Sequence, residues 1–308
     1  MLDSSGILFF RPEFFMQITL LERRTLTGIG ALSGAVVLGS DLYVVGDDAG
    51  YLLHSPIDHD VTRLNFNQIS LLPDTGLSPL PKSEKPDFEA MTEIHRFGKT
   101  DLLIMGSGST PKRMQALLFD PVSQAVTPLL DARDYAFLAQ HEALTHGADL
   151  NIEAICAHDA QLYIFQRGNI NRHHGVLRCD LLALNQPGQL AASVLGDIAL
   201  ALPDIAGCAS GIADACLCPS NSLIYATASV EQTANTYDDG AVLGSLIVRM
   251  SVTGKVLDTA VLVDDAGQPL PIKVEGITWL RSELAGEVFL LVTDSDGGDS
   301  EMLLVRVS

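Results

Sequence analysis

LSGAVVLGSDLYVVGDDAGYLL, residues 32–53, reads as a strand, a tight turn and a second strand. The apolar run from Leu32 to Leu38 stops at Gly39-Ser40-Asp41, resumes from Leu42 to Val45, and ends on the paired carboxylates Asp47 and Asp48. Gly, Ser and Asp are the residues that reverse a chain between antiparallel strands, and β-branched and aromatic residues suit a pleated surface. The design returns four times: FEAMTEIHRFGKTDLLIMGSGST from Phe88, IEAICAHDAQLYIFQRGN from Ile152, ADACLCPSNSLIYATASVEQ from Ala213, and VEGITWLRSELAGEVFLLVTDSDGG from Val274. Each has its own polar turn, and second strands such as Leu162 to Phe165 and Val288 to Val292 repeat the apolar pattern.

An oxygen-bearing residue marks the start of each unit: Ser33, Glu89, Glu153, Asp214 and Glu275, about every 60 residues. That interval is long for a solenoid rung and suits a four-stranded propeller blade with elaborated loops. Segments Val61 to Leu72, Ala125 to Leu130, Ala191 to Leu202 and Val256 to Val263 are expected to supply outer strands. The last unit lacks one, so Phe15 to Leu21 is expected to close the ring against Leu303 to Val307, removing the open edges that invite aggregation. The fold expected is all-β, a five-bladed β-propeller closed by pairing of its N- and C-terminal strands. Pro73 to Pro86 reads as a long interblade loop, and no linker divides the chain, so residues 1–308 form one domain. A six-bladed ring with one unrecognised blade is the alternative.

The formal net charge of -19 excludes nucleic acid and anionic membrane surfaces as natural partners, because both demand a concentrated cationic face. A small-molecule ligand or substrate is expected instead. The N-terminal stretch lacks the cationic region, long apolar run and small-residue cleavage site of a secretory signal, and no apolar run approaches the roughly 18 residues of a membrane span. Cys156, Cys179, Cys208, Cys216 and Cys218 show no pair of CxxC knuckles and read as buried free thiols. A reduced, cytoplasmic location is expected.

In a propeller the first strand of every blade lines the central tunnel, so the five markers converge on one small volume. Carboxylates about 6 Å apart at an effective dielectric of about 20 repel by about 3 kcal/mol per pair, so a bare, ionised ring is unfavourable. Protonation, intervening donors or a bound cation must relieve it. Hard oxygen ligands with no imidazole or thiolate favour calcium, or magnesium, over zinc. The expected metal set is Ser33, Glu89, Glu153, Asp214 and Glu275.

That order of residues resembles the calcium-activated nucleotidase (apyrase) family, a five-bladed propeller with a central calcium whose first-strand ligands run Ser, Glu, Glu, Ser, Glu. The stretch from Leu32, the third unit and KVEGITW carry the likeness, and Asp214 is the departure. The EA and EG markers also resemble those of phytase-like and SdiA-regulated bacterial propellers. The likeness weakens at the phosphate contacts, where Ala49-Gly50 replaces the family's Arg and small residues near Ala228 replace its Lys. Arg167 survives, and Lys112 and Arg113 can compensate if their loop folds inward.

The ends of the second strands should open on the same tunnel mouth, gathering Asp47 and Asp48, Ser107 and Ser109, Arg167 and Asn169, Ser229 and Glu231, and Asp294 and Asp296. There Asp47 or Asp48 can take a proton from water while Arg167 steadies developing negative charge. His173 and His174 are expected in solvent, Trp279 between blades, and Tyr237 to Gly240 in a turn able to serve a second cation. Two classes follow: a metal-dependent hydrolase of phosphate or carboxylic esters, and a non-catalytic ligand- or protein-binding propeller with a structural ion.

Overall fold

Each repeat becomes a four-stranded antiparallel sheet in the computed structural model, which describes residues 16–59, 61–73, 79–168, 171–232, 241–264, 266–295 and 297–308. The chain enters on β1 (Ile18–Leu26). Blade one is β2 (Leu32–Leu38), β3 (Asp41–Gly46), β4 (Tyr51–Pro56) and β5 (Asn67–Ser70). Blade two is β6 (Phe88–Arg96), β7 (Lys99–Gly106), β8 (Ala116–Phe119) and β9 (Val126–Leu130); blade three is β10 (Ile152–His158), β11 (Gln161–Gln166), β12 (His174–Asp180) and β13 (Val194–Leu200). Blade four is β14 (Gly211–Cys218), β15 (Leu223–Gln232), β16 (Ala241–Ser251) and β17 (Val256–Val261). Blade five is β18 (Lys273–Glu283), β19 (Gly286–Asp294) and β20 (Ser300–Val307), completed by β1.

The expected closure is therefore present. It runs from Ile18 opposite Val307 to Leu26 opposite Ser300, a little later in the chain than the sequence suggests, and Phe15 lies outside the described residues. The outer strands are shorter than expected in blades one and three, where β5 spans only Asn67–Ser70 and β13 starts at Val194.

There is no single core. In β2 and β3, Ala35, Leu42 and Val44 pack toward blade five, while Val36, Tyr43 and Val45 pack toward blade two. Successive side chains on a strand point to opposite faces, and here both faces are buried, which explains why the strands read as continuous apolar runs. Five such clusters fill the five interblade interfaces.

The all-β reading misses α1 (Ala132–Gln140) and α2 (Glu142–Thr145), inserted between blades two and three. Asp131 and Asp134 form a reciprocal capping box at the start of α1. From that helix the buried Tyr135 hydroxyl donates to the carbonyls of Gly106 and Gln115 at 2.9 and 2.8 Å. Among the described residues no helix is long and apolar enough to cross a membrane, and all five cysteines are unpaired.

Candidate metal centre at the tunnel mouth

Each inner strand carries one extra residue relative to its neighbour, between Leu32 and Ala35, Phe88 and Ala90, Ile152 and Ala154, Ile212 and Asp214, and Val274 and Gly276. Such a bulge bends a strand and re-aims a side chain. Aligned on it, the marker tier is Ser33, Glu89, Glu153, Ala213 and Glu275, so blade four contributes a methyl group and Asp214 stands one residue further along. The Asp214 carboxylate is buried and accepts from the Ile277 amide of blade five at 2.8 Å. Burial pushes its pKa well above the usual carboxylate range, and its Oδ1 has no hydrogen-bond partner.

Two residues before the marker tier stand Ala31, Asp87, Asn151, Gly211 and Lys273, and opposite these come the second-strand ends Asp47, Ser107, Arg167, Ser229 and Asp294. The mouth is thus three stacked tiers of five. Asp87, absent from the sequence expectations, is central: it is 3% exposed, with Oδ2 accepting from Ser107 Oγ at 2.5 Å and Arg113 Nη1 at 2.6 Å. It adopts a left-handed φ of 55°, which costs a non-glycine residue about 1 kcal/mol or more and persists only where its surroundings hold it. The position two before a marker, read across the repeats, is the signal that would have found both Asp87 and Lys273.

Oxygens of Asp47, Asp87 and Glu89 lie within 4.8 Å of one another. Lys85 Nζ bonds Asp47 and lies 3.2 Å from Asp87. Burial first, then the charges of Asp87, Glu153, Asp47 and Glu275, drive Glu89 well above the ordinary carboxylate range. Glu89 thus feels the charges of Glu153 and Glu275, the two carboxylates that share the Arg167 guanidinium.

The other half of the mouth is neutralised from within. Arg167, only 9% exposed, places Nη1 3.0 Å from Glu153 and 3.6 Å from Glu275, and Nη2 3.0 Å from Ser229 and 3.9 Å from Glu231. Room for it comes from blade four: a Cβ on Gly211 would sit 2.5 Å from Arg167 Nε. Lys273 Nζ lies 3.3 Å from Asp294, 3.4 Å from Glu231 and 3.7 Å from Glu275. Burial raises Glu153 to about 7, with Arg167 opposing and Glu275 adding to the rise.

Asp48 lines a cleft of about 580 Å³ whose other walls include Gly30, Tyr51 and Gln68. Burial, then Asp47 and Asp294, lifts its carboxyl to about 6, against the pull of Lys85. A carboxyl that holds its proton more tightly in the folded state costs stability as pH rises from the ordinary 3.8 through about 6, and costs nothing below that window. Asp48→Asn is accordingly expected to stabilise the fold above pH 6 and to be neutral below pH 4, read from urea midpoints across that range.

Of the remaining sequence expectations, Arg113 folds inward and Lys112 turns outward to Glu84. His174 is buried rather than solvated, accepting from Gly168 N at 3.1 Å, and burial lowers it to about 4. Asn169, Asp296 and Tyr237 to Gly240 lie outside the described residues.

A model of a family of unknown function (DUF6929) matches residues 28–307, nearly the whole ring. The chain belongs to that family. No curated protein matches the sequence. Among solved structures, it is similar to a glycosyl hydrolase from Bacteroides ovatus (8% identity, TM-score 0.49, 89% of this chain and 84% of that one). It is also similar to glutaminyl cyclase from Myxococcus xanthus (10%, 0.48, 94% and 97%) and to the calcium-binding protein regucalcin from Agrobacterium tumefaciens (11%, 0.45, 93% and 94%). These likenesses carry no chemistry to this DUF6929 member, whose own five sheets establish the propeller.

Proposed function

We propose that the tunnel mouth binds calcium on Asp47, Asp87 and Glu89, with Ser33, Glu153, Asp214 and Glu275 of the expected set grouped around or below it, and that the site hydrolyses an uncharged carboxylic ester such as a lactone. The observation that carries the reading is the approach of three carboxylate oxygens within 4.8 Å, a hard donor set suited to calcium or magnesium. The ion would supply Lewis acidity toward a carbonyl oxygen and a nearby water. Asp48, its carboxyl at about 6, is placed on the adjoining cleft to take the proton. Asp47 serves the ion, and Arg167 positions Glu153 and Glu275.

Charge argues for an ester of carbon over one of phosphorus. Among the described residues the mouth gathers eight carboxylates (Asp47, Asp48, Asp87, Glu89, Glu153, Glu231, Glu275, Asp294) against four cations (Lys85, Arg113, Arg167, Lys273), each cation already paired. One divalent ion leaves the site negative and no free guanidinium for a phosphate. This reading separates the chain from the nucleotidase pattern it resembles. In a screen of lactones, aryl esters and phosphate monoesters, calcium-dependent turnover is expected on the first two and none on phosphates, with kcat lowered about 100-fold or more in Asp48→Asn. Calcium-dependent phosphate release would overturn the substrate class. Calcium binding without turnover would support the second reading, an ion that is structural, which the internal pairing of Arg167 and Lys273 favours.

A further inference from the structure

The other end of the tunnel is chemically unlike the acidic mouth. There the outer ends of all five inner strands surround a cavity of about 590 Å³, a volume ordinary for a small-molecule site. Between the two ends the inner strands of adjacent blades approach closely: a Cβ on Gly34 would lie 3.0 Å from Met91 N, and one on Gly276 would lie 2.7 Å from Ser33 O.

The lining mixes polarisable and apolar side chains, Cys216 and Trp279 among them, with the polar Thr92, Glu93, His95, His158 and Thr278, and among the described residues it contains no Lys or Arg. Ala157, part-buried near the end of β10, lies on the cavity wall, where a leucine side chain would take up part of the space. The rim carboxylates Glu93 and Asp159 each face an imidazole, His95 at 3.6 Å and His158 at 3.4 Å. No lysine or arginine of the lining offers an anion a fixed positive charge. Trp279 donates from Nε1 to Glu287 at 2.8 Å, which fixes the indole and satisfies its only polar atom, yet the ring stays half-buried on the cavity wall instead of packing fully between blades. The part-exposed indole of Trp279 beside the Cys216 thiol favours a flat guest, through ring stacking and sulfur–aromatic contact.

We propose that this second mouth is a binding site for an uncharged aromatic small molecule seated against Trp279. It is independent of the acidic mouth, so its fate does not depend on calcium or hydrolysis. Trp279 is the chain's single tryptophan, which gives a direct reporter. Titration with the uncharged fluorophore N-phenylnaphthylamine should show saturable, one-to-one emission enhancement with energy transfer from Trp279. Ala157→Leu, which takes up part of the cavity, should weaken that binding about tenfold or more with an unchanged thermal midpoint. On the unmodified protein, saturating fluorophore should slow alkylation of Cys216 by N-ethylmaleimide and leave Cys208, outside the cavity, unaffected. Linear, unsaturable enhancement, or Cys216 alkylation at an unchanged rate, would overturn the proposal. So would a fluorophore-free change in Trp279 emission that tracks dimerisation in sedimentation, because a second copy would then be the occupant.

Discussion

Calcium added to the chelator-treated protein is expected to raise its thermal midpoint by about 4 °C, since a ligand at about 100 times its Kd contributes about 2.7 kcal/mol, spread over the unfolding entropy of a fold of this size. Glu89→Gln should remove that gain, and in chelator it should be at least as stable as the native chain. The sign follows from Glu89 being held far above its ordinary range by burial and by Asp87, Glu153, Asp47 and Glu275. Without an ion the carboxyl holds its proton more tightly than an ordinary glutamate, and an ion must compete with that proton, so calcium affinity should fall as pH is lowered. Lys85→Met should tighten binding, because the Lys85 ammonium occupies Asp47 and Asp87 oxygens that the ion must share. An identical midpoint in chelator and in millimolar calcium, with no heat of binding by calorimetry, would remove the metal centre.

Arg167→Met is the second large effect, expected to cost about 3 to 5 kcal/mol at pH 7.5 by urea unfolding, the usual result of stripping one partner from a buried ion pair. Its guanidinium lies within 4 Å of Glu153, Glu275 and Glu231, and methionine would leave those carboxylates facing one another. With Arg167 in place burial already holds Glu153 at about 7; without it the proton is held more tightly still. The deficit should therefore shrink as pH falls toward 5 and the carboxylates neutralise. In a Glu153→Gln, Glu275→Gln background, the same substitution should cost much less. A deficit under about 1 kcal/mol, or one independent of pH, would show that Arg167 is not the counter-charge of the ring.

The propeller was legible because its signal is local and repeated. Strand, turn and strand recur with an oxygen-bearing residue near the start, and the strands are buried on both faces, as with Val36 toward one blade and Ala35 toward the other. The same locality hid α1, whose Asp131 and Asp134 capping box falls in a stretch read as connection between strands. It also misaligned blade four. One bulge per inner strand moves the equivalent position to Ala213, and a bulge is set by pairing with the neighbouring strand, which no single segment displays.

The cations were the least legible part. Lys85 arrives from a long loop, Arg113 from the turn after β7, and Lys273 from the head of β18, and they meet Asp47, Asp87 and Asp294 across 38, 26 and 21 residues of sequence. From sequence alone the chain determined its five blades, their closure and the gathering of acidic groups on the axis, because periodicity and turn chemistry act within a few residues. Only the tertiary structure decided which carboxylates are answered by a cation of the chain and which are not. That outcome depends on distances of a few ångströms between different blades, where burial makes every charge strongly felt by its neighbours.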